Sequence, residues 1–445
     1  MDTAQLKAAA YAAIDRNAEK IIAIGEQVWK NPEPGYREFK TAKLAADTLK
    51  SLGLDVREKL GPTGVRADMC GRNDGPTVAM LAELDSLILP THKECDPVTG
   101  AVHACGHHAS VAGMLGAAMA LKEIDAASCF DGNVAFICTP AEECIEIAHR
   151  MEMMQKGEIL ALGGKADLIR RGTFDDVDLS IYLHASKKFG YGPHNGFLTK
   201  KVTFLGKACH AALPGSGISA LGASAVAQCA IGILRERWSD DHTVRLHGII
   251  TAGGDVVNII PDQTCMEFLV RAGTIDKIKQ LNAEFDRAMT GAALAVGAGV
   301  KIETITGYMP HYDDHGLEEL YDSITAEIAP EEPNTHSYFH YGSTDMGDLS
   351  SIMPTLHAYI PGTAGVGHGC DYRVARPELS YIANAKIQAG LLIELLTNGA
   401  EFAKAVAGRR EGKLAIADYI KLTDSFNNIS ILQPESSIDA ITVKG

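Results

Sequence analysis

Short apolar runs, PTVAMLAEL, GNVAFICTP and VDLSIYLHA, alternate along this 445-residue chain with Ala-rich helical stretches such as SVAGMLGAAMALKEI. Strand-length apolar runs separated by helical stretches are the pattern of βαβ units and a parallel sheet. From about Phe197 the character changes to LTKKVTFLG, a helix over SALGASAVAQCAIGILRERW, then TVRLHGIIT and TCMEFLVRAG, two strands separated by a Gly-Gly and Pro loop. That order is β-α-β-β, a small sheet covered by helices. The first style then returns with PTLHAYIPG and the long helix of RPELSYIANAKIQAGLLIELLTNGAEFAKAVAG. The expected fold is therefore α/β. A larger domain, 1–194 and 312–445, carries a mixed or parallel sheet with helices on both faces, and a smaller α+β domain, 195–311, is inserted into it. Two domains also suit the length, since single domains usually run about 50–250 residues. The polar, weakly patterned stretch after Gly408 is assigned no function.

Composition narrows the possible partners. With 46% hydrophobic and 22% charged residues, the chain can bury a core without disulfides. A formal charge of -15 without a basic run disfavours nucleic acid and anionic lipid, and leaves a small molecule or a protein. The ten cysteines are scattered, without a CxxC pair or a secreted framework, as expected of thiols in a reducing compartment. The N-terminal stretch reads as an amphipathic helix through Ile21, Ile22 and Val28 rather than a signal, and no apolar run approaches the roughly 20 residues of a membrane span. A soluble, cytoplasmic protein without membrane contact is expected.

Residues suited to metal or proton chemistry collect at four strand ends. VAMLAEL runs into Asp85, NVAFICTPA into Glu142 and Glu143, LSIYL into His184, and LHAYIPG into the Gly-rich loop carrying His368. Ligands of open α/β sheets bind just outside the carboxyl ends of the strands, so four such ends can meet in one cleft. His103, Cys105, His107 and His108 lie within VHACGHHAS, where Gly106 lets the backbone turn so that 105 and 107 face the same way. Thiolate and imidazole suit zinc and related divalent ions. Glu142 and Glu143 are adjacent, so on extended backbone they point apart: one can bind metal while the other approaches bound water. Taken singly, each group has a plain reading as polar loop, helix cap, core histidine or turn. Their concentration favours a site.

The blocks AELDSL, VHACGHHAS, CTPAEE, KACHAALPGSG, GGDVVNIIPDQ and GSTDMGD fall in the order found in M20 family amidohydrolases, which the chain resembles over roughly residues 10–405. Within that family it is most similar to the branch of aminoacylase-like and aminobenzoyl-glutamate utilisation hydrolases. The resemblance implies a bimetal catalytic domain and an inserted lid that also forms a homodimer. It implies Cys105 as the ligand between two divalent ions, with His107, Glu143, His184 and His368 as the others. It also implies Glu142 as general base, Asp85 as the orienting carboxylate, His210 as the group reaching the scissile carbonyl, often of the neighbouring subunit, and Asn258, Arg271 and Ser343 as substrate contacts. Zinc, manganese and cobalt all fit such ligands.

The chain departs from the family pattern in places. His108 and Ser110 follow HACG-His107, the usual Asp pair reads Glu83 and Asp85, and a later Ser-Glu-Asp reads Ser343-Thr344-Asp345. The 40 residues between Glu143 and His184 look long, and the insertion MEMMQKGEILALGGKADLIRRG within them is a candidate pocket wall. The expected activity is hydrolysis of an amide in an N-acyl or N-aroyl amino acid or a dipeptide, with Lys200, Lys201 and Lys207 as candidate positive groups at the mouth for an anionic substrate. Two alternatives stay open: a cysteine amidase with Cys105 as nucleophile and His107 as base, and a catalytically silent binding paralogue.

Overall fold

A computed structural model describes residues 1–410 and 412–434. It divides into two compact units. Among the described residues, the first holds 1–193, 311–340, 344–410 and 412–416, and the second holds 194–310, 341–343 and 417–434.

In the first unit eight strands form one mixed sheet, in the order Asp55–Leu60, Gly64–Cys70, Asn133–Thr139, Thr77–Glu83, Leu179–Ala185, Thr355–Ile360, Phe189–Tyr191 and Asn334–Ser337. The four central strands, from Asn133–Thr139 to Thr355–Ile360, are mutually parallel. Every residue of Thr77–Glu83 is buried, as a strand covered on both faces requires. Against the sheet lies the helix His107–Glu123, in which the fifteen residues from His107 to Leu121 are all buried. Its sequence is apolar or small all round rather than striped, so neighbours cover every side: Thr3–Arg16, Ala18–Trp29 and Asn384–Leu396 pack on it. The resulting core is one continuous cluster running from Leu6 to Val406. Because the four central strands run the same way, their carboxyl ends share one edge of the sheet.

The second unit is an antiparallel sheet of five strands, ordered Arg245–Ala252, Gln263–Ala272, Gly196–Leu205, Gly299–Thr306 and Asn428–Leu432. Helices Ala220–Arg237 and Ile275–Ala295 pack on it and on each other. Alternating burial along Gln263–Ala272 shows one face turned to those helices.

The sequence expectation needs correcting at the tail. The stretch expected to end the larger domain without a role instead joins the second unit. There the helix Ile416–Phe426 buries Tyr419, Thr423 and Phe426, and Asn428–Leu432 pairs in register with Gly299–Thr306. Thr306 is fastened to this segment twice, its amide donating to Asn427 Oδ1 at 2.8 Å and its hydroxyl to the Thr423 carbonyl at 2.6 Å. The physical reason is the bare edge of Gly299–Thr306, whose main-chain groups the tail satisfies.

Candidate active site

The CTPAEE turn follows Asn133–Thr139 and is bent by Ala141, which sits in the left-handed region at φ 53°. Two buried groups hold that strained turn. Glu38 Oε1 accepts the Ala141 amide at 2.8 Å while Oε2 accepts the Thr63 hydroxyl at 2.6 Å. Arg150, only 2% exposed, donates to the carbonyls of Ala141 at 3.3 Å and Leu162 at 2.7 Å, and to that of Glu143. Glu142 and Glu143 consequently face different partners. Glu142 Oε2 lies 3.9 Å from His107 Nε2, and Glu143 Oε1 lies 3.3 Å from His368 Nε2.

Asp85 follows the strand Thr77–Glu83 and is fully buried. Its Oδ1 lies 3.1 Å from His107 Nδ1, whose other neighbour at 2.9 Å is the Asp85 carbonyl, and its Oδ2 accepts the Glu143 amide at 2.9 Å. Burial would raise this carboxyl, but His107 and the Glu143 amide outweigh it and hold it below its ordinary value. Burial would lower the pKa of the His107 ring, but Glu83, Cys105 and Asp85 outweigh it and hold it well above the ordinary value. With both neighbours of Nδ1 being acceptors, Nδ1 carries a ring proton and Nε2 is the atom a metal would take. His184 is set the same way. Its Nδ1 donates to the Ala185 carbonyl at 2.7 Å, and burial followed by His107 lowers its pKa to about 4, so the neutral ring turns Nε2 to Cys105 Sγ at 3.3 Å.

Cys105 and His107 straddle Gly106, whose φ of 96° is a left-handed conformation. A Cβ there would stand 2.8 Å from the Ala185 Cβ and 2.3 Å from the Tyr372 hydroxyl, so the turn needs glycine. Burial, then Glu143, push the Cys105 thiol well above its ordinary value, unlike a cysteine poised as a free nucleophile. His368 reaches the group from a loop residue at φ 61°, its amide fastened to the Ala104 carbonyl at 2.9 Å.

These side chains form two three-donor groups, Cys105–His107–His184 and Cys105–Glu143–His368, each with its donor atoms within 4.8 Å of one another. They share the thiol. Glu83, His107 and Glu142 make a third group of the same span. Buried donor atoms at Glu83 Oε2, His107 Nε2 and Glu143 Oε1 make no hydrogen bond among the described residues. A thiol, imidazoles and carboxylates converging in this way, with several of their buried atoms lacking a hydrogen bond, fit a pair of divalent cations.

Other expected residues fall elsewhere. His103 and His108 join none of these groups. They pack in the core, ring centroids 5.5 Å apart, with Trp29 at 5.0 Å from His108, and burial lowers the pKa of each. In the second unit His210 and Asn258 are neighbours: His210 is paired with Ile259, and the Ala211 amide donates to the Asn258 carbonyl at 2.9 Å. Arg271 lies at the far end of Gln263–Ala272, its guanidinium 5.7 Å from the Phe197 ring centroid. Ser343 adjoins that end through Gly342, whose carbonyl accepts the Asn195 amide at 3.0 Å. Lys200 is corrected as a mouth residue. It is fully buried and bonded to Asp286 at 2.5 Å and Thr304 at 2.6 Å, because its strand position points into the packed face.

Sequence reasoning missed Arg150 and Lys165, both from the stretch between Glu143 and His184. Lys165 is fully buried; its Nζ donates to Glu83 Oε1 at 2.6 Å and to Asp345 Oδ1. Its helix, Gly164–Arg170, begins hard against the CTPAEE turn: a Cβ at Gly164 would lie 1.7 Å from the Pro140 carbonyl oxygen. The available signal was a lone lysine among small and apolar residues in LGGKADLI.

Converging thiol, imidazole and carboxylate donors, most of them at the ends of parallel strands, fit a metal-dependent hydrolase of amide bonds. The model of peptidase family M20/M25/M40 matches residues 80–393, and the chain belongs to that family. It is 30% identical over 397 residues to an Xaa-Arg dipeptidase of Mus musculus, covering 83% of each protein. It is 27% identical over 314 residues to an N-acetyl-L-cysteine deacetylase of Bacillus subtilis, covering 68% of this chain and 71% of that one. The fold is that of the Bacillus subtilis YxeP protein, a dinuclear metal binding peptidase of the M20 family, with a TM-score of 0.67, 20% identity, and 86% and 99% of the two chains covered.

Glu38 yields a prediction about pH. Burial, then Asp85, raise its pKa from 4.5 to about 7 in the folded chain. A carboxyl raised on folding contributes fully below the unfolded value and loses that contribution as pH climbs through the folded one. In protein kept metal-free with chelator, Glu38→Gln should flatten the fall in thermal midpoint between about pH 4.5 and 7. Parallel curves for the variant and the parent would contradict this account of Glu38.

Proposed function

We propose that this enzyme hydrolyses the amide bond of an N-acyl or N-aroyl amino acid or a dipeptide, using two divalent ions and Glu142 as general base. The observation that carries this reading is the pair of three-donor groups joined at Cys105, with the Glu142 carboxylate beside the His107 of the first. Cys105, His107 and His184 would hold one ion, and Cys105, Glu143 and His368 the other. Zinc, manganese and cobalt all suit that donor set. When bound, the ions would supply Lewis acidity and bring the ionisation of water close to neutrality.

The rest falls to the chain. Asp85 keeps His107 in the tautomer that presents Nε2 and fixes the main chain at Glu143. Glu142 has a proton affinity raised well above the ordinary, by burial first and then by Glu83, Glu143 and Asp345. Such a carboxylate can accept a proton from attacking water and hold it until the departing amine takes it. His210 is assigned the polarisation of the scissile carbonyl, and Asn258, Arg271 and Ser343 contacts to the substrate. Deacylation of an N-acyl amino acid and cleavage of a dipeptide are one reaction at different acyl groups, which is why the dipeptidase and deacetylase relatives support a single class.

A homodimer through the inserted unit is part of the same reading. Its sheet is covered at one edge by the tail strand, but the opposite strand, Arg245–Ala252, ends the sheet and leaves Ile249 55% exposed, and the neighbouring helix leaves Ile233 71% exposed. An unpaired apolar edge of this kind favours a second chain. His210 and Arg271 also lie off opposite ends of Gln263–Ala272, roughly 25 Å apart at 3.3 Å per residue. One copy cannot offer both to one small substrate, whereas two copies can. A reducing, cytoplasmic setting fits the ten cysteines, all free thiols, and no helix among the described residues is long and apolar enough to cross a membrane.

Two measurements test this reading. Against a panel of N-acyl amino acids, aminobenzoyl-glutamate and dipeptides, Glu142→Gln should lower kcat by about 10²–10⁴-fold with the metal content unchanged; near-normal turnover in metal-loaded variant would remove Glu142 from the role. Light scattering should give twice the chain mass, and Ile249→Glu with Ile233→Glu should give a monomer. A parent protein that is monomeric at every concentration would exclude the dimer.

A further inference from the structure

Glu83 closes the strand Thr77–Glu83, and its carboxylate, 1% exposed, is divided between two surroundings. Oε1 accepts from Lys165 Nζ at 2.6 Å. Lys165 in turn is bound to Asp345, by its ammonium at Oδ1 and by its backbone amide at Oδ2, 3.0 Å away. Oε2 points the other way and lies 3.1 Å from His107 Nε2. Neither atom makes a hydrogen bond among the described residues, and both are shielded from water. The Tyr182 hydroxyl flanks the same carboxylate.

That contact is close, yet it is not a hydrogen bond. His107 Nδ1 is committed to Asp85, which leaves Nε2 and Glu83 Oε2 aimed into one buried volume without a hydrogen bond between them. A proton shared between the two would be a hydrogen bond, and the pair lacks that geometry. A cation between them would use both atoms, and Glu142 offers a third within 4.8 Å. Two donors each about 2.0–2.2 Å from one zinc ion stand roughly 3 Å apart when the angle between them is near a right angle. Carboxylates crowd this volume: Glu83, Glu142 and Asp345 gather around His107 and the buried Lys165, so a divalent ion would offset their charge.

We propose that Glu83 is itself a metal ligand through Oε2, on the ion that His107 holds, and that Lys165 and Asp345 are positioning residues that fix Oε1 and so aim Oε2. This rests on the two-ion reading above and adds to it a carboxylate ligand delivered by the strand and steered by the stretch between Glu143 and His184. With Oε1 committed to Lys165, Glu83 can bind only through one oxygen, beside Glu142 rather than in place of it.

The test uses the full chain, stripped of metal and reloaded with cobalt(II), and reads both the affinity of each site by chelator competition and the visible cobalt spectrum. The parent should bind two ions. Glu83→Gln should weaken one of the two sites by at least about 10-fold and change the spectrum, with the far-ultraviolet circular dichroism retained. Lys165→Met should change the spectrum of that same ion. A parent that binds no metal overturns the two-ion reading and this inference together. A parent that binds two ions beside a Glu83→Gln protein of equal affinity and unchanged spectrum overturns only the inference, and an unchanged Lys165→Met spectrum overturns the positioning role. Should these variants fail to fold, the zinc-loaded parent decides by crystallography: an ion about 2.0–2.2 Å from Oε2 supports the ligand, and a separation beyond about 3.2 Å overturns it.

Discussion

One buried carboxylate organises the site. Asp85 is bonded to His107 through Oδ1 and to the Glu143 amide through Oδ2, and thereby joins two segments far apart in the chain, HACGH and CTPAEE. The first bond sets the tautomer that leaves His107 Nε2 available. The second fixes where the Glu142–Glu143 pair begins. Removing either partner from a buried, ionised network leaves an uncompensated group, so Asp85, His107 and the turn stand or fall together. The parallel sheet makes the arrangement possible, because Thr77–Glu83 and Asn133–Thr139 are adjacent strands that end side by side.

Around that bond the protein spends several buried ionic groups on holding a strained backbone. Ala141 sits at φ 53°, a conformation that costs of order 1–3 kcal/mol for a residue other than glycine, and it persists because Glu38 grips its amide and Arg150 its carbonyl. Lys165 closes the far side through Glu83 and Asp345. The stretch between Glu143 and His184 thus supplies two cations to a region rich in carboxylates, and its close approach to the turn depends on Gly164.

Much of this was legible in the sequence, because the signals were local. Asp85, Glu142, Glu143 and His184 each stand at or just past an apolar run, and a parallel sheet must bring such ends to one edge. HACGH placed Cys105 and His107 on one side of a glycine turn. The same proximity misled for His103 and His108: sequence spacing counts them with the donors, but packing against Trp29 takes them into the core. Arg150 and Lys165 were hidden because a cation reads as surface until its partners are known, and those partners lie on other strands and turns. Lys200 erred in the opposite direction, since only the register of its strand shows that it faces Asp286. The tail was unreadable for a further reason: the pattern of Asn428–Leu432 is weak, and its order comes from main-chain pairing with a strand more than a hundred residues earlier.

The most direct test of the central claim is elemental analysis of the purified full chain, combined with amide hydrolysis before chelation, after it, and after metal is restored. The account predicts about two divalent ions per chain, loss of cleavage when they are removed, and recovery when zinc, manganese or cobalt is returned. Cleavage that survives complete removal of metal would contradict it, as would a chain that takes up no ion when these metals are supplied.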